Sequence, residues 1–387
     1  MKGVAIVPLG LEDAAREELE GLGASEAEVL KGAVLFQVKD CEELAKIAYV
    51  SQSADRVLFH LAHFSFADIR KDVEKHIGKV ENFGDFAFEG MSFRASCERR
   101  GEHGFSSPDV EKLLGDALHR LMKRGYGVDA AVKMASPDVT FFASIVDDSF
   151  ALGIDFTGFD AGKRDYKIFL TPVSVRGTIS YGLLRYAGYR KKHTLLDPFV
   201  NDGAIVIEAA LYASGKPVQF YRKDKLAFAR LAPFREKGVS SLFESIDKKI
   251  KKEKLPISGF DAAFQYVDYG RKNAKIAGVE KVVYLSRVES EWLDIKFREK
   301  SVDRIVTKIP EPSRKLVSKD VQKLYGELFY QAEYILKDDG KVGVLCRDLA
   351  VLEPHYAKYG FVIERQKDVW TGEQRLCMAV LVKGKKA

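Results

Sequence analysis

Short apolar runs alternate with amphipathic stretches along the whole chain, and the spacing of polar positions separates strands from helices. VAIVPL reads as a short strand, and LEDAAREELEGLG as an amphipathic helix with an acidic first turn that stops at glycine. AVLFQV, CEELAKIAYVSQSA and RVLFHLAHF continue as strand, helix and strand. Residues 1–65 thus form a small α+β unit with strands folded against helices. Residues 66–157 repeat the theme. ADIRKDVEKHIGKV is helical, MSFRASCERR alternates as a strand, and SSPDVEKLLGDALHRLMKRG is a helix opened by a serine cap and a first-turn proline. TFFASIVDD and SFALGIDFTG make a hairpin that turns at Asp147 and Asp148.

After Gly158 the pattern changes. FDAGKRDYKIFLTPVSVRGTISYGLLRYAGYRKK is basic and ends in a helix, so residues 158–192 read as a linker that docks onto the C-terminal part of the chain. From residue 193 to 387 apolar strands and helices alternate. HTLLDPF, ISGFDA, VVYLSRV, VDRIVTKIP and KVGVLCRD are the strands; AIVIEAALYA, AFQYVDYGRKNAKIAG and VQKLYGELFYQAEYILK are helices between them. That alternation predicts a doubly wound, largely parallel α/β sheet. The lysine-rich DKKIKKEK at 247–254 reads as a solvated excursion.

With 387 residues, 46% hydrophobic and 30% charged, the chain is a folded protein of two or three domains rather than a disordered one. No run approaches the roughly 20 apolar residues of a membrane span, and the N-terminus lacks the pattern of a secretory signal, so a cytoplasmic location is expected. Cys41, Cys97, Cys346 and Cys377 lie far apart without CxxC or histidine spacing, which argues for reduced, mostly buried thiols and against metal or disulfide chemistry. The net charge of +6 hides an asymmetry: residues 1–150 hold 18 Lys+Arg against 26 Asp+Glu, residues 151–387 hold 44 against 30. The second part suits a polyanion, or else its charges dress a heat-resistant surface with ion pairs.

Ligands of doubly wound sheets sit beyond the carboxyl ends of the strands. LLDPFVNDGAIVIEAA puts Asp197 at such an end, ahead of a turn and a helix start near Ala204. GFDA puts Asp261 at the end of the next strand, where a carboxylate accepts from both hydroxyls of a ribose. A nicotinamide cofactor would ask for GxGxxG and an acid about 20 residues on. Here the turn holds one glycine, Gly203, and Asp261 follows Asp197 by 64 residues.

DPFVNDGAIVIEAAL resembles the DPFCGSGTxxIEAAL motif of S-adenosylmethionine-dependent RNA methyltransferases that carry a THUMP domain. FRASCERRGEHGFSSPDVEKLLGDAL and SPDVTFFASIVDDSFALGIDFTG resemble the two halves of THUMP. GKRDYK with VRGTISYGLLRYAGY resembles the connector and entry helix, and GFDAAFQYVDYGRKNAKIAGV the second methyltransferase motif. The resemblance runs nearly full length and is strongest to archaeal tRNA methyltransferases acting on the exocyclic amine of guanosine. It implies a ferredoxin-like unit (1–65), a THUMP unit (66–157) and a Rossmann-like methyltransferase domain (193–387). It also implies S-adenosylmethionine held by Asp197, Pro198, Asn201, Asp202, Gly203, Asp261 and Glu289. Structured RNA, tRNA above all, is the implied partner, with Lys163, Arg164, Lys167, Arg176, Arg190, Lys191 and Lys192 of the connector as candidate phosphate contacts.

The sequence departs from the family at two places. Asn201-Asp202-Gly203 stands where the family has Gly-Ser-Gly: asparagine can take the left-handed backbone in glycine's stead, but Asp202 brings a carboxylate towards that of the cofactor and weakens its binding. After the fourth strand the family presents Asn or Asp, then Pro, then an aromatic; oxygens accept the hydrogens of the guanine amine, and the ring stacks on the base. Here the catalytic positions read Lys308, Pro310 and Glu311. An ammonium has three donors and no acceptor, and glutamate cannot stack; the two are spaced to pair across the pocket mouth. The expectation is a pseudoenzyme: RNA binding retained, methyl transfer lost or impaired, the fold serving alone or beside an active paralogue. The alternative is an active tRNA (guanine-N2) methyltransferase using rearranged residues. A small-molecule methyltransferase would leave the THUMP-like half without a purpose.

Overall fold

A computed structural model describes residues 1–312 and 316–384. They fall into two compact units, one made of Met1–Ala161 and Gln219–Lys248, the other of Gly162–Val218 and the chain from Lys249 onward.

The first unit is built on one eight-stranded sheet. β1 (Lys2–Ile6), β2 (Ser25–Leu30), β3 (Ala33–Gln37) and β4 (Arg56–Ser65) alternate with the helices Glu12–Gly21 and Cys41–Val50. β5 (Ser92–Arg100), β6 (Ala131–Val132), β7 (Val139–Val146) and β8 (Ser149–Asp155) come next, with the helices Ile69–Ile77 and Ser107–Gly125. The order is β2-β3-β1-β4-β8-β7-β5-β6. β4 is long enough to serve both halves: Arg56–Phe59 pair with β1, and Leu58–Ser65 with β8. The ferredoxin-like and THUMP halves therefore share a strand instead of meeting at a linker. Helix Ser107–Gly125 begins as its sequence asks, with a reciprocal capping box between Ser106 and Asp109. β7 and β8 turn at Asp147-Asp148, Asp147 taking a φ of 52°. β2 is missing from the hydrophobic pattern because it is an edge strand with no buried residue.

Residues 219–248, which chain order assigns to the second fold, pack in the first unit. Phe228, Leu231, Phe234 and Phe243 belong to the same buried cluster as Tyr49, Phe86 and Phe156. The Tyr49 and Phe243 rings lie 4.7 Å apart. The aromatic content of this stretch is core for a sheet that the chain completes well upstream.

The second unit has the order β11-β10-β9-β12-β13-β15-β14. β9 (Leu195–Asp197), β10 (Ile257–Asp261), β11 (Tyr284–Arg287), β12 (Val302–Lys308) and β13 (Leu336–Cys346) run parallel. β14 (Phe361–Thr371) and β15 (Gln374–Lys383) close one side antiparallel. Helix Ala204–Ser214 is apolar on nearly every face and accordingly buried, with Glu208 its one charged residue. The stretch read as a linker is part of this unit from Gly162 on: helix Gly177–Tyr186 buries Ile179, Tyr181, Leu183 and Leu184. Strand order reverses between β9 and β12, which places the ligand crevice at their carboxyl ends.

Candidate cofactor and substrate site

The crevice is a cavity of about 760 Å³, within the ~300–1,000 Å³ of small-molecule sites. Pro198, Asn201, Asp261, Glu289, Pro310 and Glu311 line it. Asp197, Asp202, Gly203 and Lys308 are not on its wall.

Asp197 is buried and ties β9 to β12. It accepts from Thr307 Oγ1 at 2.6 Å and from the Phe199 N–H at 3.2 Å. Burial pushes its carboxyl up to about 7. It shapes the turn behind the cavity.

Asn201 takes the left-handed backbone at φ 49°, held by Nδ2 donating to the Phe199 carbonyl at 2.8 Å. The replaced glycine thus costs little here. Its N–H donates to Asp261 Oδ2 at 3.2 Å, and the Ala263 N–H donates to Oδ1 at 3.0 Å. Each oxygen of Asp261 keeps a lone pair for a hydroxyl. Burial raises this carboxyl to about 6. Gly203 must be glycine: φ is 83°, and a Cβ would stand 3.0 Å from Gly270 Cα.

Asp202 corrects the expectation of a like-charge clash with the cofactor. Its carboxylate is 2% exposed and is met by Lys167 Nζ at 2.8 Å and Ser174 Oγ at 2.5 Å. Lys167 also donates to the Val175 carbonyl at 2.5 Å. The negative charge is neutralised behind the wall. The residues present therefore fit S-adenosylmethionine: a positive-φ turn at a helix start, an acid for a ribose, and a cavity free of the Asp202 carboxylate.

At the fourth motif Lys308 ends β12 and is 8% exposed. Its Nζ donates to the Val173 carbonyl at 3.2 Å. Burial pulls its pKa down while Glu311 raises it. The expected Lys308–Glu311 pair does not form: Glu311 Oε2 pairs with Arg347 Nε at 3.1 Å. Among the described residues Glu311 Oε1 is buried without a hydrogen-bond partner. The Pro310 carbonyl accepts from the Tyr325 hydroxyl at 2.6 Å.

Tyr266 and Tyr269 also line the cavity, beyond the residues that the motifs point to. Their signal lies in the first turns of the helix after GFDA, three residues apart and so on one face. Leu170, Pro172 and Val173 of the connector line it too; nothing in their local pattern marks them.

The connector cations divide. Lys163, Arg190, Lys191 and Lys192 are exposed, and Arg176 is half-buried at the start of helix Gly177–Tyr186. Arg164 turns inward, its Nε 2.8 Å and Nη2 3.1 Å from the Glu208 carboxylate, which also accepts from the Tyr166 hydroxyl at 2.7 Å. Lys167 turns inward to Asp202. Phosphate is out of reach for both. Among the described residues no acid, His or Cys cluster could hold a metal, and no helix is long and apolar enough to cross a membrane.

A doubly wound sheet with this crevice, preceded by ferredoxin-like and THUMP halves, is the fold of a class I methyltransferase with two accessory units. Comparison with known proteins agrees. The model of the RMKL-like methyltransferase domain matches residues 164–374, that of the RlmL ferredoxin-like domain residues 2–58, and that of the THUMP domain residues 65–155. The chain belongs to the RMKL-like methyltransferase family. It is 28% identical to the tRNA (guanine(6)-N2)-methyltransferase of Methanocaldococcus jannaschii over 94% of this chain and 95% of that one. The enzyme of the same description from Archaeoglobus fulgidus is 31% identical over 54% of this chain and 53% of its own. Among solved structures, a putative methyltransferase complexed with SAH superposes with a TM-score of 0.78 at 20% identity, covering 100% and 98% of the two chains. TrmN from Thermus thermophilus gives 0.68 at 24%, covering 99% of each.

Proposed function

We propose that this protein binds structured RNA, tRNA in the first place, and keeps a cavity for S-adenosylmethionine, while methyl transfer to a guanine amine is lost or strongly impaired. The observation that carries this reading is Lys308 at the end of β12, buried behind the cavity wall with its ammonium on the Val173 carbonyl, so that the position offers the cavity no side-chain oxygen. S-adenosylmethionine supplies an electrophilic methyl group. For nitrogen to use it, the amine hydrogens must be accepted so that its lone pair leaves conjugation with the purine. Lys308 offers donors only, and it spends one on Val173. The neighbouring Pro310 carbonyl accepts from the Tyr325 hydroxyl and keeps a second lone pair, but one carbonyl alone cannot take both amine hydrogens. Glu311 gives the flipped base no ring to stack on. Asp261 and the Asn201–Gly203 turn would orient the cofactor; Tyr266 and Tyr269 supply apolar wall.

The test is incorporation of labelled methyl groups into bulk tRNA at elevated temperature. The expected result is none above background, together with calorimetric binding of S-adenosylmethionine. Robust incorporation overturns the reading. One observation favours the active alternative: among the described residues Glu311 Oε1 lies buried and unpartnered on a residue of the cavity wall, an oxygen available to an amine hydrogen. If Glu311 does that work, incorporation is robust in the natural protein and collapses in Glu311→Leu, which removes both oxygens.

A further inference from the structure

The edge of the second sheet away from the cavity carries an arrangement that the fold does not require. β9 and β10 pair in parallel from Leu195 and Ile257, so the loops leading into them lie side by side, with the Leu195 N–H donating to the Pro256 carbonyl at 2.8 Å. The first loop supplies Arg190, Lys191 and Lys192; the second supplies Lys251, Lys252 and Lys254, with Glu253 the acid among them. All six cations are exposed. Lys251 is fixed by its N–H, which donates to the Ser214 carbonyl at the end of helix Ala204–Ser214 at 2.9 Å. Tyr212, on that helix, has Lys191 Nζ and the Arg185 guanidinium each 5.2 Å from its ring centre, and its hydroxyl accepts from Arg185 Nη1 at 3.3 Å.

Some surface lysines of this unit find carboxylates: Lys300 pairs with Asp338 at 3.0 Å, Lys337 with Asp303 at 2.7 Å, Lys341 with Glu364 at 2.6 Å. Others, Lys319 and Lys358 among them, stand singly among the described residues. The six loop cations are set apart by being gathered in two adjacent loops. Among the described residues none of the six loop cations has such a partner. Burial, and after it the charges of Lys251 and Arg185, push the Lys191 pKa down. Positive charge gathered without internal compensation is relieved by an external polyanion, and lysines in adjacent loops match a phosphate backbone without reading bases.

We propose that the loops 190–192 and 251–254 form a phosphate-backbone contact surface for structured RNA at the N-terminal edge of the sheet, opposite the cofactor cavity. The proposal rests on the RNA-binding reading above and assigns to it residues of the lysine-rich excursion.

The test is the double charge reversal Lys191→Glu with Lys251→Glu, compared with the same charge change at exposed Lys319 and Lys358. Binding of bulk tRNA is measured across a salt series. The expected result is about tenfold weaker binding at 100 mM salt, and a slope of log K against log salt shallower by about 1.5, as for two lost phosphate contacts. Unchanged binding overturns the proposal, as does an equal loss in the Lys319/Lys358 control. If the natural protein binds no tRNA at all, the RNA-binding reading itself fails and the proposal with it. A second measurement avoids substitution: bound tRNA should shield Lys191 and Lys251 from an amine-reactive acetylating reagent several-fold. Equal labelling with and without tRNA overturns the proposal.

Discussion

Asp202 occupies a position where the resembling motif carries serine, and its fate depends on two residues that no local pattern connects to it. Lys167 and Ser174 enclose its carboxylate, and together they make a buried charge tolerable. Removing the cation alone leaves an uncompensated buried charge. Lys167→Met should therefore cost about 3–5 kcal/mol in chemical denaturation. Lys167→Met with Asp202→Ser should recover most of that loss; a double variant as unstable as the single one would show that the pair is not the cause. Asp197 gives a second prediction, in pH. Burial raises its folded pKa to about 7, above the ~3.9 of an unfolded aspartate. The folded state then binds the proton more tightly. Its contribution to stability is present in full below pH ~4 and is lost as pH rises through about 7. Urea midpoints measured between pH 4 and 8 should fall less steeply with rising pH in Asp197→Asn than in the natural protein; parallel curves would contradict the assignment.

At the scale of elements, what a sequence reveals depends on whether an element answers to its neighbours in the chain or to distant ones. The strands that carry Asp197 and Asp261, and the capping box at Ser106, are local, and their patterns are sufficient. β2 escapes because both its faces are wet, and the pair β14 and β15 because its pattern depends on a partner strand rather than a helix alternation. The site divides in the same way. Asp261 and Asn201 are legible from the turn chemistry of their own strands. The inward turn of Arg164 is not, because Glu208 sits 44 residues away and both are needed to bury either. The 219–248 segment is the largest such case. Its phenylalanines answer to a core laid down by the first 161 residues. Phe228, fully buried, should on truncation to alanine cost about 3–5 kcal/mol. Hydrogen exchange should accelerate in β5, β7 and β8 while β9, β10 and β12 keep their protection. Faster exchange confined to β9, β10 and β12 would return the segment to the unit in which the chain order places it.

For the whole molecule, the division of charge bears on the proposed binding of RNA. The half that carries the ferredoxin-like and THUMP elements is acidic overall, 18 basic against 26 acidic residues through position 150. Bulk attraction for phosphate must come from the remainder, where 44 basic residues face 30 acidic ones. Any contribution of the acidic half then rests on shape and hydrogen bonding, which salt disturbs little, and the salt dependence of binding reports residues 151–387 almost alone. With Arg164 and Lys167 turned inward, four exposed connector cations remain: Lys163, Arg190, Lys191 and Lys192. If each neutralises one phosphate, these four contribute about −3 to the slope of log K against log salt, and Lys251, Lys252 and Lys254 bring it to about −5. Affinity for bulk tRNA should then fall roughly 1,000-fold between 50 and 200 mM salt, of which the connector alone accounts for roughly 50- to 100-fold. A slope near zero would mean that the basic excess decorates the surface only, and that the connector carries no phosphate contacts.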